Sequence, residues 1–318
     1  MSYYLGIDVG GTKTAYGLFN ERKELVAKIK TPTDTTLSAD VFFDGVCSQI
    51  GSLLLANNLT LEDVAGIGVG MPSFVIFEKG YIDKTASIPN IHNFYLRDYL
   101  QSKLGAIRIV VDNDGNTGAL AEFRQGAGRG FDHMVFCLVS TGLGSSIIIN
   151  KTLFRGTYGW AGESGHMLIS PFDASSIQCG CSNTGCFNSI CSGKMILDHV
   201  KRWIGSGEKT VLTELAGNAD QINTQHIDKA YEMSDAVAVK AVEQMAQYMA
   251  IWLYNIYLML NINCFVLSGG LLAMGDKLFG RIRELFDSYN SNAYPVYFFN
   301  TQLGSDTGII GAMELLFS

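Results

Sequence analysis

The chain has 318 residues, 47% of them hydrophobic, five scattered prolines and a formal net charge of -7. That length predicts two domains with ample core, and the composition excludes a disordered or low-complexity chain. An acidic chain with no Lys/Arg run excludes nucleic acid as a partner.

Met1-Ser2-Tyr3-Tyr4 carries no basic segment ahead of the first apolar run, so no signal peptide is expected and the cytoplasm is the expected compartment. Apolar runs at 3–7 and 15–19 flank Asp8-Val9-Gly10-Gly11-Thr12-Lys13-Thr14, which reads as a β-hairpin with a backbone-rich tip. A third strand at 25–30, a helix at 39–57, a strand at 65–69, a helix at 95–104 and a strand at 107–111 follow. A helix at 117–125 then leads to a second hairpin, 134–139 and 147–149, around Ser140-Thr141-Gly142-Leu143-Gly144-Ser145. Helices at 194–203 and 235–260, a strand at 264–267 and a helix at 277–289 continue the chain. A strand at 296–300 and a helix at 309–317 are expected to return to the first lobe. This order is α/β. The expected small lobe is 1–118 plus 300–318, and the large lobe is 119–299. The apolar stretch 249–267 is interrupted by Asn255, Asn261 and Asn263 and followed by Ser268-Gly269-Gly270, so it reads as a buried helix and strand rather than a membrane span.

The two hairpin tips, Asp8 to Lys13 and Thr141-Gly142-Leu143-Gly144, offer concave sets of N–H groups that suit phosphate oxygens. Asp8, before Gly10 and Gly11, can hold a magnesium-bound water beside those phosphates; an ordinary hairpin turn explains the same residues. Gly269-Gly270 after a buried strand is a third backbone-exposing turn that can pass close to a nucleoside. Magnesium and local N–H groups let an acidic protein bind ATP. Asp114, in Asp112-Asn113-Asp114-Gly115-Asn116 after a strand, can accept a proton from an attacking hydroxyl, while the competing reading is a helix cap.

Four of the seven cysteines lie between positions 179 and 191. His166, Cys179, Cys181 and Cys186 give His-x12-Cys-x-Cys-x4-Cys, a donor set for tetrahedral zinc with no open position, hence a structural site. Cys191 falls outside the set, and Cys47, Cys137 and Cys264 read as core. Glu163, three residues before His166, could be oriented by the metal to accept hydrogen bonds from sugar hydroxyls.

Taken together and in order, these motifs resemble the ROK family of sugar kinases, open reading frames and repressors, over essentially the whole chain. The resemblance rests on Asp8-x-Gly-Gly-Thr-Lys, Ser140-Thr-Gly-x-Gly, Asn113-Asp114-x-Asn116, and Gly162-Glu163-x-Gly-His166 with Cys179-Gly-Cys-Ser-Asn-Thr-Gly-Cys186. It implies an actin-like ATPase (ribonuclease H-like) fold whose two lobes close on ATP and a sugar across an interlobe cleft. It implies Asp114 as catalytic base, Asn113, Glu163 and His166 as hydroxyl contacts, and Asn90 and Gly70 as sugar-side positions. A homodimer is expected. Family repressors carry a DNA-binding domain ahead of the kinase-like part, and a first loop at Asp8 is expected to leave no room for one.

Two departures stand out. Asn188 stands where the family usually has Glu, and on the resemblance it faces the sugar. Ser73 stands where Gly is frequent, narrowing the same pocket. The stretches Asn188-Ser-Ile-Cys191-Ser192-Gly193 and Leu271-Leu-Ala-Met274 look similar to bacterial D-allose kinases. The expected function is therefore an ATP-dependent hexose 6-kinase, D-allose first, with glucokinase, fructokinase and N-acetylmannosamine kinase as alternatives. A non-catalytic sugar sensor is the competing class, and Asn188 is the feature that favours it.

Overall fold

The computed structural model describes residues 2–85, 87–173, 176–292 and 294–318. The chain begins with β1 (Tyr3–Val9), β2 (Lys13–Phe19), β3 (Leu25–Pro32) and α1 (Ala39–Ala56). Next come β4 (Val64–Met71), the short strands β5 (Ser73–Ile76), β6 (Tyr81–Thr85) and β7 (Phe94–Tyr95), then α2 (Leu96–Leu104), β8 (Arg108–Asn113) and α3 (Asp114–Gln125). They are followed by β9 (Met134–Val139), β10 (Leu143–Ile149), β11 (Thr152–Phe154), α4 (Phe187–Cys191), α5 (Gly193–Gly205), α6 (Leu212–Ala216) and α7 (Thr224–Glu232). The last elements are α8 (Ala236–Leu260), β12 (Cys264–Ser268), α9 (Asp276–Tyr289), β13 (Tyr297–Asn300) and α10 (Thr307–Glu314).

Two compact units form: Met1–Met134 with Ser146–Ala161 and Thr301–Ser318, and Val135–Ser145 with Gly162–Asn300. One five-stranded sheet has the order β3-β2-β1-β4-β8 and the other β11-β10-β9-β12-β13, the same plan twice. In the first sheet β1 pairs antiparallel with β2 and parallel with β4, and β4 pairs parallel with β8. In the second sheet β12 is parallel to both β9 and β13. The fold is the actin-like, ribonuclease H-like α/β fold. A small antiparallel sheet, β5-β6-β7, is added to the first unit.

Strand alternation sorts the faces of the first sheet. Leu5, Ile7 and Val9 join Phe43, Val46 and Ile50 of α1 in one core. Gly6 and Gly68 face the other way, where a Cβ would overlap the α10 backbone, so α10 lies directly on the sheet. Ile309 and Met313 of α10 complete a second core with Ala15 and Phe19. By length and composition α1 is apolar enough to cross a membrane, yet Phe43, Val46, Ile50, Leu53 and Leu54 are buried in the first core. α8 ends at Asn261 in the left-handed region, φ 52°, where the sequence placed its end.

The division differs from a boundary at 118/119, which would cut α3. α3 stays whole in the first unit because α10 packs on it so closely that a Cβ at Gly311 would overlap the Thr117 carbonyl. The last strand also differs: β13 pairs with β12, Cys264 opposite Tyr297, and so belongs to the second unit, while α10 alone returns to the first.

Candidate active site

In the first unit the predicted residues gather at the carboxyl ends of the parallel strands. Register places Asp8 opposite Gly70, Gly70 opposite Asp112 and Met71 opposite Asn113. Open α/β sheets bind ligands at this end. The first turn is closed by the Gly10 N–H on the Lys13 carbonyl (3.0 Å), and the Thr12 carbonyl accepts from the Thr33 N–H (3.0 Å). Gly11 lies against Ser87, whose Cβ would be 2.9 Å from an added one. Burial pushes the Asp8 carboxyl pKa up, and Lys13 and Lys30 pull it down. The Asp8 carboxylate rests on the first turn of α10, in space that a Cβ at Gly308 would fill. Gly70 is explained by packing, since an added Cβ would stand 3.0 Å from Thr117 Oγ1.

The segment Asp112-Asn113-Asp114-Gly115-Asn116 divides its labour. Asn113 is the α3 N-cap: its Oδ1 accepts from the Gly115 N–H (2.8 Å) and the Asn116 N–H (3.4 Å), and its Nδ2 donates to the Ser73 carbonyl (3.1 Å). The helix therefore starts at Asp114, a turn earlier than expected, and Asp114 Oδ1 accepts from the Gly115 N–H at 2.9 Å. Behind them Asp112, 2% exposed, accepts from the Asn113 N–H (2.7 Å), Asn116 Nδ2 (2.8 Å) and Arg155 Nε (2.8 Å). Burial pushes the Asp112 pKa up and Arg155 opposes it. The Arg155 guanidinium also lies over the Phe77 ring, 3.6 Å from its centroid. Ser73 is buried, and its Oγ has no hydrogen-bond partner among the described residues. Asn90 Nδ2 donates to the Thr36 carbonyl at 2.8 Å, which fixes the amide on the loop after β6. Arg155 was not foreseen: a lone Arg in a polar loop carries no sequence signal for a partner 43 residues away.

In the second unit the turn 140–145 and the Gly269-Gly270 turn come together. Gly269 has φ +113°, a region L side chains avoid, and an added Cβ would overlap the Val139 carbonyl. The turn is closed by the Ser140 N–H on the Gly142 carbonyl (2.9 Å), and it meets the start of α5: the Gly193 N–H donates to the Ser140 carbonyl (2.8 Å) and the Lys194 N–H to the Thr141 carbonyl (3.2 Å). A cavity of about 430 Å³ opens here, lined among others by Thr141, Lys194, Asn223, Asp228 and Gly270. Lys194 heads α5, a helix the sequence showed without a sign of a ligand beside it, and Asn223 and Asp228 belong to α7, a short polar helix that was not foreseen; the one legible cue was Asn223, which caps α7 by accepting from the His226 N–H (3.0 Å). Among the described residues nothing lies within 4 Å of a Cβ added at Gly144.

The four predicted metal residues converge: one donor atom each from His166, Cys179, Cys181 and Cys186 lies within 4.8 Å of the others. Tetrahedral zinc with Zn–S near 2.3 Å and Zn–N near 2.0–2.1 Å needs donor separations of about 3.5–3.8 Å, and Cys179 Sγ to His166 Nδ1 (3.4 Å) and Cys181 Sγ to Cys186 Sγ (3.6 Å) come close to that. The donor set thus fits a closed tetrahedral site. His166 Nδ1 is 3.4 Å from Cys179 Sγ, so Nδ1 faces the cluster, while Nε2 lies 3.9 Å from Glu163 Oε2. One ring can therefore serve a metal and still present its other nitrogen toward Glu163. The protein around Glu163 raises its carboxyl pKa, and His166 lowers it. Cys191 is buried, its thiol pKa pushed up by burial, and it stays outside the cluster. Asn188 differs from expectation. Its amide turns to protein: Oδ1 accepts from the Leu143 N–H (2.9 Å) and Nδ2 donates to Cys179 Sγ (3.5 Å).

Comparison with known proteins agrees with this architecture. The chain is 29% identical to a glucokinase of Halalkalibacterium halodurans over 314 residues, 97% of this chain and 93% of that one. It is 31% identical to an N-acetyl-D-glucosamine kinase of Photobacterium profundum over 278 residues, 84% of each chain. The crystal structure of a ROK family glucokinase from Streptomyces griseus in complex with glucose and AMPPNP superposes with a TM-score of 0.79 at 28% identity, covering 99% of both chains. The sequence model of the ROK family matches residues 4–318, and the chain belongs to that family.

Proposed function

We propose that this ROK family sugar kinase transfers the γ-phosphoryl group of ATP to the 6-hydroxyl of a hexose. The observation that carries the reading is Asp114, heading α3 directly after β8, at the strand end where Asp8, Gly70 and Asp112 stand in register. Phosphoryl transfer asks for alignment, a proton acceptor and charge neutralisation rather than covalent chemistry from the protein. Asp114 accepts the hydroxyl proton. Asp8 would hold magnesium through a bound water, and magnesium there would supply positive charge to offset the phosphates. The tips at Gly10 to Lys13 and at Thr141 to Gly144 each offer backbone N–H groups to phosphate oxygens, and the cavity beside Gly269-Gly270 takes the nucleoside. Asn113, Asn90, Glu163 and His166 contact sugar hydroxyls. Zinc on His166, Cys179, Cys181 and Cys186 stiffens the loop that carries Glu163.

D-allose is the sugar we put first, on the stretches 188–193 and 271–274; the names of the relatives make glucose and N-acetylglucosamine its rivals. The sensor reading loses its motive, because Asn188 has partners of its own within the protein. A coupled ADP-release assay over allose, glucose, mannose, fructose and the two N-acetylhexosamines tests both levels. Highest kcat/KM on a gluco sugar removes allose and keeps the kinase. No turnover on any sugar removes the kinase.

A further inference from the structure

Leu143 sits inside the second phosphate turn, and its N–H does not serve a ligand: it is spent on Asn188 Oδ1 at 2.9 Å. The same amide gives its Nδ2 to Cys179 Sγ at 3.5 Å, and Cys179 Sγ is one of the four converging donor atoms. Asn188 follows Cys186 by two residues in α4, so its backbone is anchored to the cluster as well. The opposite side of Leu143 is covered too, since a Cβ at Gly165, the residue before His166, would overlap its carbonyl.

Only a side chain with an acceptor and a donor on one fork can make this bridge. A backbone N–H needs an acceptor and a ligating thiolate needs a donor. A carboxylate would satisfy the first and fail the second, and it would add negative charge beside three sulfurs. The geometry also fixes which way the amide points, because Nδ2 facing the Leu143 N–H would set donor against donor.

We infer that Asn188 is a positioning residue that ties the second phosphate turn to the metal centre, so that metal retention and nucleotide binding are coupled. The inference rests on the reading of residues 140–145 as a phosphate turn and of the cluster as a zinc site. Coupling of this kind is reciprocal: nucleotide strengthens metal binding by the factor by which metal strengthens nucleotide binding.

The test compares the parent with Asn188→Asp, which keeps the acceptor and loses the donor, and Asn188→Leu, which loses both. Two readouts need no sugar and no turnover: zinc release to a chromophoric chelator, and AMPPNP affinity by calorimetry with and without zinc. Asn188→Asp, nearly the same shape, should release zinc about tenfold faster, the usual scale for losing a hydrogen bond to a ligating group. Its AMPPNP affinity with zinc bound should stay within about twofold of the parent, since the Leu143 N–H keeps its acceptor. Asn188→Leu should lose AMPPNP affinity as well. Stripping zinc should weaken AMPPNP binding in the parent more than in Asn188→Leu, where the tie is already cut. Parent-like zinc release by Asn188→Asp, or an equal effect of zinc removal in parent and Asn188→Leu, overturns the inference alone. Failure of the parent to bind AMPPNP overturns it together with the ATP reading, and a parent that binds AMPPNP but turns over no sugar leaves this result to stand separately.

Discussion

At the scale of single residues, the segment Asp112-Asn113-Asp114-Gly115-Asn116 shows how far residue type alone can be read. Asn and Asp both suit a helix cap, so the sequence could not say which of them caps and which is left for chemistry. The structure gives the cap to Asn113 and an ion pair to Asp112, and puts Asp114 in the first turn of α3. Asp114→Asn should therefore fold: an amide keeps the Oδ1 acceptor for the Gly115 N–H, and the lost charge at the helix start costs only about 0.3–1 kcal/mol. It should bind sugar with a similar KM but lose about 10²–10⁴-fold in kcat, the usual weight of a general base. Steady-state kinetics on the sugar found by the panel checks this, and a kcat within a few-fold of the parent would take Asp114 out of the mechanism. The position of Asn188 was not legible, because nothing in the local pattern says that Leu143, 45 residues away, needs an acceptor.

At the scale of elements, long periodic segments were legible and short ones were not. α8, with 25 residues, was readable to within one residue at its start. β7 has two residues and α4 five, too few for either period to show. The β5-β6-β7 sheet was hidden for that reason. α8 also owes its start to one side chain. Asp235 accepts from the Ala238 N–H (3.0 Å), the Val211 N–H (2.9 Å) and Thr210 Oγ1 (2.8 Å). Burial works to raise its pKa, but the donors outweigh it and the net shift is downward. A lowered folded pKa means that stability is fully present above the unfolded carboxyl range, near pH 4, and drains away as pH falls through the lower folded value. Asp235→Ala should cost about 1–2 kcal/mol at neutral pH. In urea unfolding of both proteins from pH 7 downward, that difference should shrink with acid. A gap that stays constant or widens as pH falls would show that the carboxylate is not what holds the helix start.

At the scale of the whole molecule, the duplicated plan was legible because each hairpin carries its own Gly-rich tip, and the two sheets repeat one strand order. The boundaries were less so, because an isolated four-residue strand such as β13 does not declare which sheet it joins. What returns the chain to the first unit is a buried carboxylate. Glu122 of α3, 0% exposed, accepts from the Ala127 N–H (2.9 Å) just past its own helix. It also accepts from the Gln302 N–H (3.0 and 3.1 Å to its two oxygens) and the Leu303 N–H (3.1 Å), at the point where the chain comes back from β13. Those amides lie outside helix and sheet ladders, so the carboxylate stands in for the water they would otherwise bind. Gly126 leaves room for it, since a Cβ there would overlap Oε2. Glu122→Ala removes the acceptor and strands several backbone donors at once, at roughly 1–3 kcal/mol for each one left dry. We expect a loss of about 3–5 kcal/mol, among the large single-residue effects, read from urea denaturation. Glu122→Gln, which keeps one acceptor oxygen but sets its NH₂ against backbone donors, should fall between the two. Stability of Glu122→Ala within about 0.5 kcal/mol of the parent, the range of a neutral surface change, would mean that water replaces the carboxylate without loss and that packing of α10 alone brings the chain home.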